Sequence, residues 1–379
     1  MFLKKIINSI ADAGKELLSK TFTGKRNVAS LLELSDDLIS YKGIASGIAI
    51  AREISETYKE LSIEDKKKFF QEIDKKLKPN MDLVEQKSIE FVKDKSKETL
   101  KSLAALAEGR RQEFIRRMNM APNGTAFLVS MREDLLRCVV EDPSLQDLDE
   151  DFRHLFRSWF NPGFLKLEKI TWETKAAILE RIIKYEKVHK IKDMDDLKRR
   201  LQEDRRFFAY FHPVLHDEPL IFVQVAFTEG LATCIQDIIK PTMDSKLKAD
   251  TATFYSISNC QQGLTNVTLG NFLIKRVVYE IQQENSKIKN FGTLSPLPGL
   301  VDWFNYLEEA KIISIIGAED FSKIKFLHNA DVKVGDPRII EHKAIVKKLA
   351  VHYLIKEKVN NKPVNSVTRF HLGNGASIQ

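Results

Sequence analysis

The chain predicts an α+β protein: an all-helical N-terminal bundle over residues 1–190, then a mixed α/β domain over residues 191–379. Two observations carry this. Up to about residue 190, apolar residues recur at three and four spacing, as in Leu31, Leu32, Leu34, Leu38 and Ile39. Proline there is confined to Pro79, Pro122, Pro143 and Pro162. This is the pattern of amphipathic helices joined by loops. Near residue 205 the character changes. Phe207 to His212 and Leu220 to Phe227 are aromatic and β-branched runs, separated by Pro213 and a His216-Asp217-Glu218-Pro219 turn. Such runs around a turn signal predict two antiparallel strands.

The elements follow in order. Met1 to Phe22 is amphipathic and basic and predicts a first helix; Asp12 and Glu16 set it apart from presequences, which are poor in acids. Glu53 to Lys101 interleaves Lys and Glu. That predicts a solvated helix face with i, i+4 ion pairs. With acids among the bases and no aromatic placed to stack, it does not predict a nucleic-acid surface. Ala252 to Ser258 predicts a third strand. A loop with Gly263 and Gly270 follows, then a helix over Phe272 to Gln282. Next come an extended piece at Phe291 to Leu294, a rigid turn at Pro296 to Gly299 and a helix from near Val301. Helices around Ile339 to Lys356 and a loop-rich tail, Asn360 to Gln379, complete the chain.

Composition bounds the function. Sixty Lys and Arg against 53 Asp and Glu leave a net charge of +7, a mild surplus that suits a polyanionic partner. Cys138, Cys234 and Cys260 are scattered, with no CxxC, so a reducing compartment is expected. No apolar run reaches the ~18–20 residues of a membrane span. The His residues show no HExxH or other metal-ligand spacing, so no metal is expected.

Three segments can carry chemistry. Tyr255 to Val278 reads as a strand, a Gly-containing loop and a helix. That arrangement offers free N–H groups and the positive helix end to a phosphate, although a glycine pair before a helix is also an ordinary tight turn. The segment is neither a P-loop nor a G-x-G-x-x-G dinucleotide loop. His371, between Phe370 and Leu372 and followed by Gly373 and Gly375, suits a tightly held loop, where a lone His is more often structural than catalytic. Ser295 precedes the Pro296-Leu297-Pro298-Gly299 turn and is not in a G-x-S-x-G elbow. As a plain structural residue it starts that turn or caps the next helix.

Taken together, these segments carry a resemblance. His154 to Leu165, Tyr185 to His189, Asp196 to Leu201, Asp204 to Pro213 and Glu218 to Val223 are followed by Tyr255 to Ser258 and Leu269 to Lys275. Thr293 to Gly299, Phe370 to Leu372 and Asn374 to Ala376 complete the series. In this order and spacing the chain resembles the malonyl-CoA decarboxylase family, from about residue 150 to the end. The resemblance implies a helical oligomerisation domain before an acetyltransferase-like catalytic domain. It implies conversion of malonyl-CoA to acetyl-CoA and CO2, with no metal or organic cofactor. Ser295 falls on the family's serine in Leu-Ser-Pro-x-Pro-Gly, and His371 on its histidine in Phe-His-Leu-x-Asn-Gly-Ala. The coenzyme A loop falls on Thr265, Asn266, Val267, Thr268, Leu269, Gly270 and Asn271, with Ile274 just beyond. Lys275, Arg276, Arg205 and Arg206 are the expected cationic partners of the other CoA phosphates.

Two departures matter. Family members often continue well past Asn-Gly-Ala, with a tyrosine near the site, whereas this chain stops at Ser377-Ile378-Gln379; weakened activity is the expectation. Some members carry an acid where Thr268 stands, so a role for that acid is not carried over. Two other functions use the same features, a non-catalytic malonyl-CoA or acyl-CoA binding protein and an acyl-CoA-dependent acyltransferase. A homo-oligomer, dimer or tetramer, through the helical domain is expected. The expected location is cytoplasmic.

Overall fold

The computed structural model describes residues 26–40, 43–239, 248–267, 269–328 and 336–379. The helix expected at Met1 to Phe22 lies outside them. The N-terminal part is helical: α1 (Val28–Ser40), α2 (Ile44–Glu60), α3 (Ile63–Leu77), α4 (Met81–Lys93), α5 (Lys97–Ala107), α6 (Arg110–Met118), α7 (Gly124–Glu141) and α8 (Gln146–Trp159). Local chemistry sets the boundaries. Ser62, Asn80 and Ser96 cap α3, α4 and α5, each accepting from the N–H three residues on. On α3, Phe69, Phe70, Ile73 and Leu77 form the buried face; Glu64 and Asp65 lie in the first turn, Lys75 and Lys76 in the last, which suits the helix dipole. Phe69 and Phe70 join Tyr58 and Phe127 in an aromatic cluster, ring centroids 5.5–6.1 Å apart.

Of the expected i, i+4 pairs, Arg52–Glu56 forms at the start of the Glu53 to Lys101 stretch; other pairs have different spacing. Lys68–Asp65 and Lys87–Glu90 are i, i+3 pairs, while Lys66–Asp134, Lys67–Glu141, Lys76–Asp36 and Arg111–Asp74 tie one helix to another. Long lysines on packed helices reach the neighbour's acids as readily as their own.

Among the described residues seven strands follow: β1 (Lys166–Lys169), β2 (Arg205–Phe211), β3 (Pro219–Thr228), β4 (Thr251–Asn259), β5 (Asn290–Thr293), β6 (Lys358–Val359) and β7 (Lys362–Pro363). The first five form one sheet in chain order, and β6 and β7 form a hairpin. β1 runs antiparallel to β2, with Lys166 opposite Phe211. β4 and β5 are parallel, Thr251 opposite Asn290 and Phe254 opposite Thr293. A parallel pair needs a crossover, supplied by α12 (Gly270–Glu284). The remaining helices are α9 (Ala176–Tyr185), α10 (Met194–Arg200), α11 (Ile235–Ile239), α13 (Leu300–Tyr306), α14 (Glu309–Ile316), α15 (Ala318–Ile324), α16 (Pro337–Glu341), α17 (Lys343–Ile355) and α18 (Ser366–Gly373). The fold is α+β, a helical N-terminal region and then a sheet with helices.

Residues group into two compact units, Met1–Gln224 with Ile257–Val277, and Val225–Ser256 with Val278–Gln379. The first holds a core of Ile170, Ile178, Ile182, Leu197, Phe207, Phe222 and Cys260. In the second, Phe304, Ile312, Ile316, Phe321, Ile324 and Leu349 pack together, and Leu294 and Ile235 pack on Ala226, Ile238 and Tyr255.

Two local expectations are corrected. β1 interrupts the span read as helical: Leu167 and Glu168 are too few to show a period. The helices expected around Ile339 to Lys356 are α16 and α17, separated at His342, whose φ of −99° and ψ of 24° leave the helical range. The tail is not loop-rich: β7 and α18 occupy much of it. His371 therefore sits in the last turn of a helix, not in a loop. The glycines at 373 and 375 end that helix and do not extend a loop backwards.

Candidate functional site

Ser295 and His371 come together. Strand β5 alternates its side chains, as extended backbone must. Leu294 packs inward, its N–H donating to the Phe254 carbonyl at 2.9 Å. Thr293 and Ser295 therefore share the other face, with their hydroxyl oxygens 3.0 Å apart. His371 Nε2 lies 3.0 Å from Ser295 Oγ and 3.5 Å from Thr293 Oγ1. Burial holds the His371 imidazole below its ordinary value, because a low-dielectric setting disfavours the charged ring. The ring is therefore mainly neutral at pH 7, one nitrogen donating and the other accepting.

Helix α18 presents that ring. Asn365 caps it, accepting from Thr368 N–H at 2.8 Å and from its hydroxyl at 3.0 Å. At the other end, His371 O accepts from Asn374 and Ala376 N–H. The Ser295 side is a turn. Gly299 has a φ of 78°, and a Cβ there would lie 2.8 Å from Tyr353 Oη, so glycine suits both conformation and space. The Pro298 carbonyl accepts from Asn365 Nδ2 at 2.8 Å and from Tyr353 OH at 3.1 Å.

The loop after β4 is built differently. It passes through a single helical turn, Gln262–Leu264, and reaches α12 at Gly270. Thr265 and Asn266 are exposed, Val267, Leu269 and Gly270 buried, and Asn271 and Ile274 half-buried; Thr268 lies outside the described residues. Asn266 takes the left-handed conformation, φ 64°, which asparagine tolerates. Arg132 of α7, fully buried, anchors the loop. Its Nη1 donates to the Gly263 carbonyl at 2.6 Å and the Thr265 carbonyl at 2.9 Å, while its Nε donates to Asp149 at 2.7 Å. At Gly263 a Cβ would lie 1.9 Å from the Val129 carbonyl oxygen, so this close approach excludes any side chain. Of the cations expected near the loop, Lys275 and Arg276 are exposed. Arg205 is buried and paired with Asp204 at 2.8 Å, and Arg206 donates to the Glu203 and Arg205 carbonyls. Those two arginines are engaged in shaping their own turn.

Comparison with known proteins then places the chain. The model of the malonyl-CoA decarboxylase C-terminal domain matches residues 163–379, and that of the malonyl-CoA decarboxylase N-terminal domain matches residues 77–160. The chain belongs to the malonyl-CoA decarboxylase family. The mitochondrial malonyl-CoA decarboxylase of Anser anser anser is 33% identical over 297 residues, 71% of this chain and 58% of that protein. The chain thus spans under two thirds of the length of this curated relative. Among solved structures, the malonyl-CoA decarboxylase of Rhodopseudomonas palustris is 41% identical, with a TM-score of 0.83, covering 92% of this chain and 86% of that one. The malonyl-CoA decarboxylase of Agrobacterium vitis is also 41% identical, with a TM-score of 0.84, covering 91% and 85%.

Sequence reasoning about a decarboxylase-family chain named Ser295 and His371 but missed the groups around them. Thr293 was legible: it ends β5 two residues before Ser295, a spacing that puts the two on one face of extended backbone. Asn365 carries the cap signature three residues before Thr368. Nothing in the sequence points to Arg132, whose loop partners lie over 130 positions away. Among the described residues, no three His, Cys, Asp or Glu side chains cluster to hold a metal ion. No helix among them is long and apolar enough to cross a membrane.

Proposed function

We propose that this chain decarboxylates malonyl-CoA to acetyl-CoA and CO2. The supporting observation is the 3.0 Å approach of Ser295 Oγ to His371 Nε2, two side chains 76 positions apart, in a chain of this family. Decarboxylation releases the C–C bond electrons into an enolate spread onto the thioester oxygen. The thioester is the electron sink, so the substrate's own coenzyme A takes the place of a cofactor. Two tasks remain for the protein: to orient the carboxylate and to protonate the carbon left behind. Ser295, its hydroxyl oriented by Thr293 and His371, hydrogen-bonds the malonyl carboxylate and holds the scissile bond out of the thioester plane. His371 delivers the proton. The carboxylate of bound substrate favours the imidazolium that burial disfavours. Once CO2 departs, that imidazolium is the proton donor to the carbanion carbon. A positioned general acid is worth about 10²–10⁴ in rate.

The loop from Thr265 to Asn271 is the proposed phosphate cradle: the Thr265 and Val267 N–H groups are taken by the Gln262 and Leu264 carbonyls, so the α12 N-terminus is the part offered to the pyrophosphate, with Lys275 and Arg276 as exposed cations. We also propose a homo-oligomer. Helices α4 and α5 bury no side chain, and Met81, Leu83, Ile89, Val92 and Leu100 are exposed, an apolar surface suited to a second copy. No nucleic acid is proposed as partner, because the acids are interleaved with the bases. A cytoplasmic location is proposed.

The test is CO2 and acetyl-CoA release from malonyl-CoA by the purified chain. His371→Ala is expected to lose about 10²–10⁴ in kcat, with coenzyme A affinity by calorimetry within threefold of the parent. Release by that variant at the parent rate overturns the role of His371. Tight malonyl-CoA binding without turnover by the parent establishes the binding-protein reading instead.

A further inference from the structure

We infer that Asn365, together with Tyr353, is a positioning residue that fixes the spacing of Ser295 and His371 by tying both to one backbone oxygen, the Pro298 carbonyl. This inference rests on the proposed role of that pair. Asn365 is 2% exposed and uses both ends of its amide. The oxygen caps α18. A cap needs only an acceptor, which aspartate or serine also supplies. The amide nitrogen is what asparagine adds, and that atom reaches Pro298 O at 2.8 Å. Tyr353, 3% exposed on α17, brings a second donor to the same oxygen at 3.1 Å. A carbonyl has two lone pairs, and both are used.

Both arms from this tie are stiff. On one side Pro298 is three residues past Ser295. Pro296 and Pro298 each have φ fixed near −65°, and Gly299 lets the chain turn directly beneath the tyrosine hydroxyl. On the other, Asn365 precedes His371 by six residues of one helix, about 9 Å along its axis. Helix, turn and α17 thus meet at one acceptor. A slip at that oxygen is carried to the Ser295–His371 contact. At 3.0 Å that contact has little tolerance, since a polar contact at about 3.6 Å is no longer a hydrogen bond.

The test uses Asn365→Ser, which keeps a capping oxygen and removes the amide, Tyr353→Phe, which removes the second donor, and the double variant. The double variant is expected to lose about 100-fold in kcat, the scale of a 1 Å misplacement, with KM for malonyl-CoA within threefold. Each single variant loses less, and Asn365→Asp, which also caps without donating, falls with Asn365→Ser. A second readout needs no turnover. The His371 ring-proton resonance, assigned by its loss in His371→Ala, is titrated by NMR. Its midpoint is expected to rise toward the free-histidine value in Asn365→Ser and in the double variant, as the ring leaves its buried seat. A purely structural role predicts a lower Tm with kcat per folded molecule and the His371 midpoint unchanged, and that result overturns the inference. If the double variant does not fold, the two single variants decide by the same readouts. If His371→Ala turns over as fast as the parent, the catalytic reading has failed, and the NMR midpoint alone judges the tie.

Discussion

The loop after β4 and the turn after β5 both follow strand ends, yet they are held in opposite ways. The loop is fixed by charge and backbone contact: a fully buried Arg132, balanced by Asp149, grips two loop carbonyls, and Gly263 lets the α7 backbone press against them. The turn is fixed by neutral groups, an amide and a phenol on one carbonyl, with the Thr293 and Ser295 side chains left exposed. A buried ion pair is costly to break from one side, whereas neutral hydrogen bonds are individually worth only about 0.5–1.5 kcal/mol. The loop is therefore built not to move. The turn is held by weaker ties and leaves its side chains exposed.

Arg132→Met gives the largest effect and breaks the comparison on the loop side. It leaves the Asp149 carboxylate buried without its guanidinium and strips two carbonyls of their donor. Removing one partner of a buried pair costs about 3–5 kcal/mol, to be read as a lower urea midpoint. Ligand affinity of the folded fraction should fall as well if the loop is the phosphate cradle. A midpoint within 1 kcal/mol of the parent, converted through the m-value, would mean that Arg132 is a passenger and that packing alone fixes the loop.

Ser295→Ala acts on the turn side and is next in size. The side chain is exposed, so stability should barely change. Removing one preorganised donor costs about 10²–10³ in rate, so kcat should drop about 100-fold or more. A large stability loss with little loss of rate would reverse the assignment and make Ser295 a turn residue.

The sequence exposes these two regions unequally, for physical reasons. Elements written by local periodicity are legible. β2 and β3 stand out as apolar runs because they are buried on both faces, and α12 by its amphipathic pattern. Ser295 and His371 are legible through their motifs. Their partners are less so. Thr293 follows from the two-residue strand period, but the Asn365 amide and the Tyr353 phenol act at Pro298 from 67 and 55 positions away, and no local pattern encodes such a meeting. Arg132 is harder still: its neighbours on α7 give it the appearance of one more surface cation. The helix carrying His371 was hidden because its two following glycines look like a loop, although Asn365 and Thr368 already spell its cap.

The smallest effect sharpens the turn side, and its sign follows from burial. His371 in the free protein sits below its ordinary value because burial penalises the imidazolium. If the imidazolium delivers the proton, kcat/KM, which reports the free protein, falls as pH rises through that lowered value, so its descending limb lies below pH ~6.5, the unperturbed value of histidine. In the complex the malonyl carboxylate stabilises the charged ring and raises its value. The descending limb of kcat, which reports the complex, is therefore displaced to higher pH. Between the two limbs kcat stays level while kcat/KM drops tenfold per pH unit. Both parameters rising with pH over the same window would mean that the neutral ring is the working form. His371 would then accept the Ser295 proton, and the carbon would be protonated by another donor.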